Sequence, residues 1–202
     1  MRRKLLENRI QIFLVIATVV MTILRFLLNE KGRTNPDSIR FMRTANVFPV
    51  IDNTTTPLGY PLSLKFLTIF GFDEFWASKV IGILAYFFIV YFAWNKRFYL
   101  RETILVGGLF SFVSIFSYTM SESLMLPFVF IFLYVARQII IGEIKGTKAF
   151  LYLSLILILL YNIRYPALFI IGGVLLYGLL NFRKHYAGIL IFSGVTGLIF
   201  VV

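Results

Sequence analysis

Residues 103–141 read TILVGGLFSFVSIFSYTMSESLMLPFVFIFLYVARQIII, an almost unbroken apolar run of about 39 residues. As a single α-helix, at 1.5 Å per residue, it would extend nearly 60 Å, about twice the ~30 Å hydrocarbon core of a bilayer. The run must therefore turn, and Ser121-Glu122-Ser123 is the polar interruption that can turn it. The same argument divides Ala149 to Phe182 at Tyr161-Asn162-Ile163-Arg164-Tyr165-Pro166, ahead of the basic Arg183-Lys184-His185. Further spans are expected from about Ile10 to Leu28, from about Phe75 to Trp94, and from near Tyr186 onward. The expected fold is all-α: a polytopic transmembrane helical bundle of about seven spans, forming one transmembrane domain over residues 1–202. The last run is still apolar at Val202, so a C-terminally truncated piece of a longer protein is expected.

Composition points the same way. Of 202 residues, 59% are hydrophobic and 14% charged, and mean hydropathy is +0.88. A soluble domain is about half apolar and roughly a quarter charged, so this excess is too large for one core in water. Met1-Arg2-Arg3-Lys4 before an apolar run resembles a signal peptide, but the run is too long and lacks a small-residue cleavage site. It reads as a retained first helix. There are no cysteines, which excludes disulfides, thiolate metal sites and cysteine nucleophiles, and His185 is the single histidine.

The net charge of +11 would suggest nucleic acid in a soluble protein. In a membrane protein it reads instead as loops enriched in Lys and Arg, with no nucleic-acid partner. Placing the N-terminus inside puts twelve Lys and Arg in inside segments and seven in outside segments, Lys79 among the latter. That asymmetry predicts a multi-pass protein with a cytoplasmic N-terminus, and the Ile, Phe and Lys bias suggests a bacterial inner membrane.

The longest segment outside the spans, residues 29–74, is expected to be an extracytoplasmic loop with short interfacial helices. Pro36-Asp37-Ser38 opens one of them, with Ile39, Met42 and Val47 on its apolar side. Leu62 to Phe70 is apolar but too short to span, and reads as a half-buried or re-entrant helix leading to Gly71. Asn53-Thr54-Thr55 is a glycosylation sequon on this loop, a pattern frequent by chance.

Charged groups at membrane depth cost roughly 2.5–3.5 kcal/mol on insertion scales, so each invites a functional reading. For Asp37 the plainer reading is a helix cap, for Glu122 a solvated turn residue, and for Arg164 interfacial snorkelling. Together they share the expected outer face, where one carboxylate could act as general base and the arginine could hold a phosphate. Tyr60 and Tyr165 could frame a sugar or belong to the aromatic belt. Gly107-Gly108 and Gly172-Gly173 are read as sites of close helix packing. No phosphate-binding glycine loop, nucleophile elbow or metal-ligand cluster is present in the sequence.

Pro36-Asp37-Ser38-Ile39-Arg40-Phe41-Met42-Arg43-Thr44-Ala45, then Pro57-Leu58-Gly59-Tyr60-Pro61-Leu62 and Phe70-Gly71, resemble the first outer loop of GT-C membrane glycosyltransferases. Tyr118 to Leu124 is similar to the acidic turn between their third and fourth spans. Asn162-Ile163-Arg164-Tyr165-Pro166 is similar to their arginine-bearing break. The resemblance covers roughly Met1 to Leu180 and is specific as an ordered set. Phe41 stands where many relatives have Tyr, and relatives are considerably longer, often with a soluble outer domain. The resemblance implies transfer of a sugar from a polyprenyl-phosphate donor to a lipid, glycan or protein acceptor. It implies Asp37 as the catalytic carboxylate, and Glu122 as support for the acceptor side or for a divalent cation shared with Asp37, if one is used. Arg164 would hold the departing lipid phosphate, with Tyr60, Tyr165 and Arg40 as further substrate-binding candidates. A transporter or flippase of a lipid-linked or amphipathic solute is the main alternative, although no internal repeat supports it. An inactive scaffold subunit is the third.

Overall fold

The computed structural model describes residues 2–50 and 56–200, and the sequon at Asn53-Thr54-Thr55 lies outside them. All regular structure in the described residues is helical: α1 Arg2–Leu27, α2 Pro36–Val47, α3 Gly59–Thr68, α4 Glu74–Lys96, α5 Leu100–Gly107, α6 Phe110–Ser117, α7 Ser121–Ile140, α8 Gly146–Ile163, α9 Leu168–Leu180 and α10 Ala187–Ile199, with a 3-10 turn at Tyr165–Ala167. Four segments are long and apolar enough to cross a membrane, Glu7–Leu27, Glu74–Lys96, Ser121–Ile140 and Gly146–Ile163. They support an integral membrane protein.

The other expected spans differ in form. The run after Thr103 is not straight: α5 and α6 meet at a 75° bend, where Gly107-Gly108 gives way to Leu109. Apolar residues occupy every side of this run, so no polar signal marks the bend. The last two apolar helices, Tyr165–Leu180 and Ala187–Ile199, are shorter than the four long ones. The turn expected at Ser121-Glu122-Ser123 lies just before it, at Tyr118–Met120, and Glu122 sits in the first turn of α7.

The chain divides into two compact units. The first comprises residues 1–54 and 60–127. Its core gathers Ala45 of α2, Tyr60 and Leu64 of α3, and Ala77 and Ile81 of α4, with Phe41, Met42, Leu67 and Leu124 packed against them. The short α2 and α3 are therefore held by tertiary contact, as twelve- and ten-residue helices must be. Helix α4 packs on α6 at Gly82, where a Cβ would lie 2.0 Å from the backbone oxygen of Phe116. Gly107 fits against the Tyr86 ring in the same way.

The second unit comprises residues 55–59 and 128–202. Here α10 packs on α8 and α9. Ser193 donates to the Phe150 carbonyl at 3.4 Å, and Gly194 sits under Leu175. Gly172 and Gly173 face open space, contrary to the expected packing role, which Gly178, Gly194 and Gly197 fill instead.

Candidate functional site

The site is built from the chain that leaves α1. Asn29 turns it, its side-chain oxygen accepting from the Lys31 and Arg33 amides at 3.1 and 3.3 Å. Arg33 takes a left-handed conformation (φ 60°), and its carbonyl accepts from the Thr119 amide at 3.2 Å. Two residues on, Asn35 Nδ2 lies 3.6 Å from Met120 Sδ. The segment before α2 thus runs along Tyr118–Met120, the segment before α7.

Helix α2 starts where the sequence predicts, but Asp37 is not its cap. Asn35 is the cap: its side chain accepts from the Ser38 amide at 2.8 Å, while Ser38 Oγ accepts from the Asn35 amide at 3.0 Å. This reciprocal pair satisfies two amide donors at the helix start. The signal was present in the sequence as an Asn followed three residues later by Ser. Relieved of capping, the Asp37 carboxylate is exposed and lies 3.9 Å from the Arg40 guanidinium one turn on. A pair this exposed is held weakly, so Asp37 is available to a ligand. Glu122 is half-buried in the first turn of α7. Both carboxylates therefore occupy a first helical turn, where the peptide dipoles favour negative charge. The Asn35–Met120 and Arg33–Thr119 contacts hold those two helix starts side by side.

Behind them lies a buried polar cluster that the sequence did not reveal. Lys79, counted with the outer-loop cations in the sequence, is 1% exposed in the second turn of α4. Its ammonium donates to the Ser117 carbonyl at 3.1 Å and to Thr119 Oγ1 at 2.9 Å, and lies 4.8 Å from the centre of the Phe75 ring. Ser78 Oγ and Thr119 Oγ1 are 2.7 Å apart. These bonds clamp the Ser117–Thr119 segment, and so the start of α7, onto α4.

Tyr60 is 0% exposed, edge-on to Phe41 at 5.2 Å. It neither frames an open cleft nor joins an interfacial belt in this structure. Its hydroxyl lies beside Ser78 and Ser123 without closing a bond of good geometry, and burial pushes its pKa well above the usual phenol value.

Arg164 and Tyr165 belong to the second unit. Arg164 is the extended residue that ends α8, its amide donating to Leu160 O at 3.0 Å and its carbonyl accepting from Ala167. Pro166 prevents the helix from continuing, and the 3-10 turn carries the chain into α9. Arg164 is half-buried, and the exposed Tyr165 ring stacks obliquely on Tyr161 at 5.3 Å. Gly59 lies in the same unit against Asn162, where a Cβ would approach the backbone oxygen to 2.6 Å.

No family model, curated protein or solved structure matches this chain. Among the described residues no group of three or more His, Cys, Asp or Glu could hold a metal ion. Asp37 and Glu122 alone would suit only a hard cation that keeps most of its water.

Proposed function

We propose that this chain is a membrane glycosyltransferase of the GT-C type, moving a sugar from a polyprenyl-phosphate donor to an acceptor at the extracytoplasmic face. The observation that carries this reading is the side-by-side placement of the starts of α2 and α7, with an exposed Asp37 that Asn35 frees from capping. In the reaction an acceptor hydroxyl attacks the anomeric carbon, and its proton passes to the Asp37 carboxylate. The bond from that carbon to the phosphate oxygen breaks, and polyprenyl phosphate leaves with the bonding pair. The anomeric configuration inverts, because attack and departure occur on opposite faces. Glu122 orients the acceptor. Arg164 stabilises the phosphate by paired charge-assisted hydrogen bonds, as the resemblance implies. Arg40, one turn on from Asp37, adds a further substrate contact. Tyr60 acts from the core, fixing α3 against α2, and Tyr165 lies beside Arg164 where it can meet the substrate.

In this reading the N-terminus is cytoplasmic, residues 29–74 lie outside, and the protein is a multi-pass component of a bacterial inner membrane. The 75° bend between α5 and α6 also favours a second reading, since transporters build substrate paths from broken helices. The test is sugar transfer from radiolabelled polyprenyl-phosphate sugars in proteoliposomes. General-base catalysis contributes about 10²–10⁴, so Asp37→Asn should lower turnover by that factor. Transfer that Asp37→Asn leaves intact would remove Asp37 from the chemistry.

A further inference from the structure

Beside the polar loop, Arg25 in the last turn of α1 and Arg33 in the segment that follows it form a second group of cations that the proposed reaction does not use. Arg25 and Arg33 line one cavity of ≈ 330 Å³ together with Leu24, Leu28 and Asn29. No carboxylate lines it, and neither arginine makes an ion pair among the described residues. Each guanidinium is instead braced by an aromatic face. Arg25 lies 4.0 Å over the Phe110 ring and Arg33 4.0 Å over the Tyr118 ring. Arg33 also donates to Ser114 Oγ through one Nη, while its Nε is buried without a hydrogen-bond partner. The two guanidiniums bring like charge to the lining of one cavity, and the buried Lys79 side chain lies within Coulombic reach of Arg33.

Like charges gathered this way raise the energy of the empty site, and an anion relieves it. A planar guanidinium with free N–H donors suits the oxygens of a phosphate, and aromatic bracing fixes its plane in advance. The cavity continues into exposed apolar surface at Leu24 and Leu28 of α1. We propose that Arg25 and Arg33 form a binding site for a phosphate group, set at the end of α1 where a membrane lipid presents one. The proposal rests on the membrane reading and does not depend on the transferase reading.

The test is binding to the purified full chain in neutral detergent, followed by native mass spectrometry and by thermal midpoint. Three probes are used: dioctanoyl phosphatidic acid, inorganic phosphate and dioctanoylglycerol. Dioctanoyl phosphatidic acid should bind saturably and dioctanoylglycerol should not. Arg25→Gln and Arg33→Gln should each weaken the phosphatidic acid on the order of tenfold, as for the loss of a charge-assisted hydrogen bond. Arg25→Lys with Arg33→Lys keeps both charges and serves where the Gln variants fold poorly. It should weaken binding less than the Gln pair while leaving the lipid-free midpoint near wild type. Inorganic phosphate that displaces the lipid at equal concentration would also support the phosphate site, assigning it to a soluble anion. Equal binding of dioctanoylglycerol, or unchanged phosphatidic acid binding in both Gln and Lys variants, would overturn the proposal.

Discussion

Gly82 is where helix packing and the candidate site meet, and Gly82→Ala exposes the connection. The added Cβ would stand 2.0 Å from the Phe116 backbone oxygen, whereas ordinary contact begins near 3.4 Å. A backbone oxygen cannot rotate away as a side chain would, so α4 and α6 must separate. Overpacking of this kind costs about 1–3 kcal/mol, and a backbone clash belongs at the upper end. Alanine returns about 1 kcal/mol of helix propensity, leaving a net loss of about 2 kcal/mol. For a chain of this size that lowers the thermal midpoint by about 4–8 °C. Separation of α4 from α6 also pulls on the Lys79–Ser117 and Ser78–Thr119 bonds that hold the start of α7, so activity should fall with stability. The assay is thermal unfolding in detergent, with Gly172→Ala as control because its Cβ meets nothing within 4 Å. A Gly82→Ala midpoint equal to wild type, with the control also unchanged, would refute the packing argument.

Asn35→Ala removes the cap of α2 and should cost about 1 kcal/mol, lowering the midpoint by a few degrees, whereas Asp37→Asn should leave it within error. Matching losses from the two variants would return Asp37 to a capping role. Tyr60→Phe should be close to neutral in stability, because the buried hydroxyl closes no good bond and its removal leaves no partner stranded. Burial raises the Tyr60 pKa above its unfolded value near 10. Its stabilising contribution is therefore intact below pH 10 and declines as pH rises above it. Phenolate absorbance in an alkaline titration should show one more tyrosine ionising together with unfolding in wild type than in Tyr60→Phe. One more phenol ionising near pH 10 in folded wild type than in folded Tyr60→Phe would contradict the burial.

The all-α character and the start of α2 were legible because Pro36 and the apolar spacing of Ile39, Met42 and Val47 are local signals. The break at Arg164 was legible for the same reason, since Pro166 closes off a helix whatever surrounds it. Glu122 was found as the interruption, but the turn falls three residues earlier because Ser121 and Glu122 suit the first turn of a helix. The bend between α5 and α6 left no trace in hydropathy, as lipid and protein neighbours both accept apolar side chains. The burial of Lys79 was hidden for the opposite reason. A lysine near a helix end reads as interfacial, and only the Ser117–Thr119 segment, forty residues on, shows what satisfies it. The glycines of Gly172-Gly173 and Gly82 look alike in sequence; which of them meets a neighbouring backbone is decided by tertiary contact alone.

The central claim is that Asp37 serves chemistry rather than passage or packing. Proteoliposomes carrying a labelled polyprenyl-phosphate sugar in one leaflet and an acceptor outside report both processes at once. A transferase moves label onto the acceptor, and Asp37→Asn lowers that transfer by about 10²–10⁴ while donor binding to the protein persists. Label that crosses the bilayer still attached to its lipid, at equal rates with wild type and Asp37→Asn, would contradict the account.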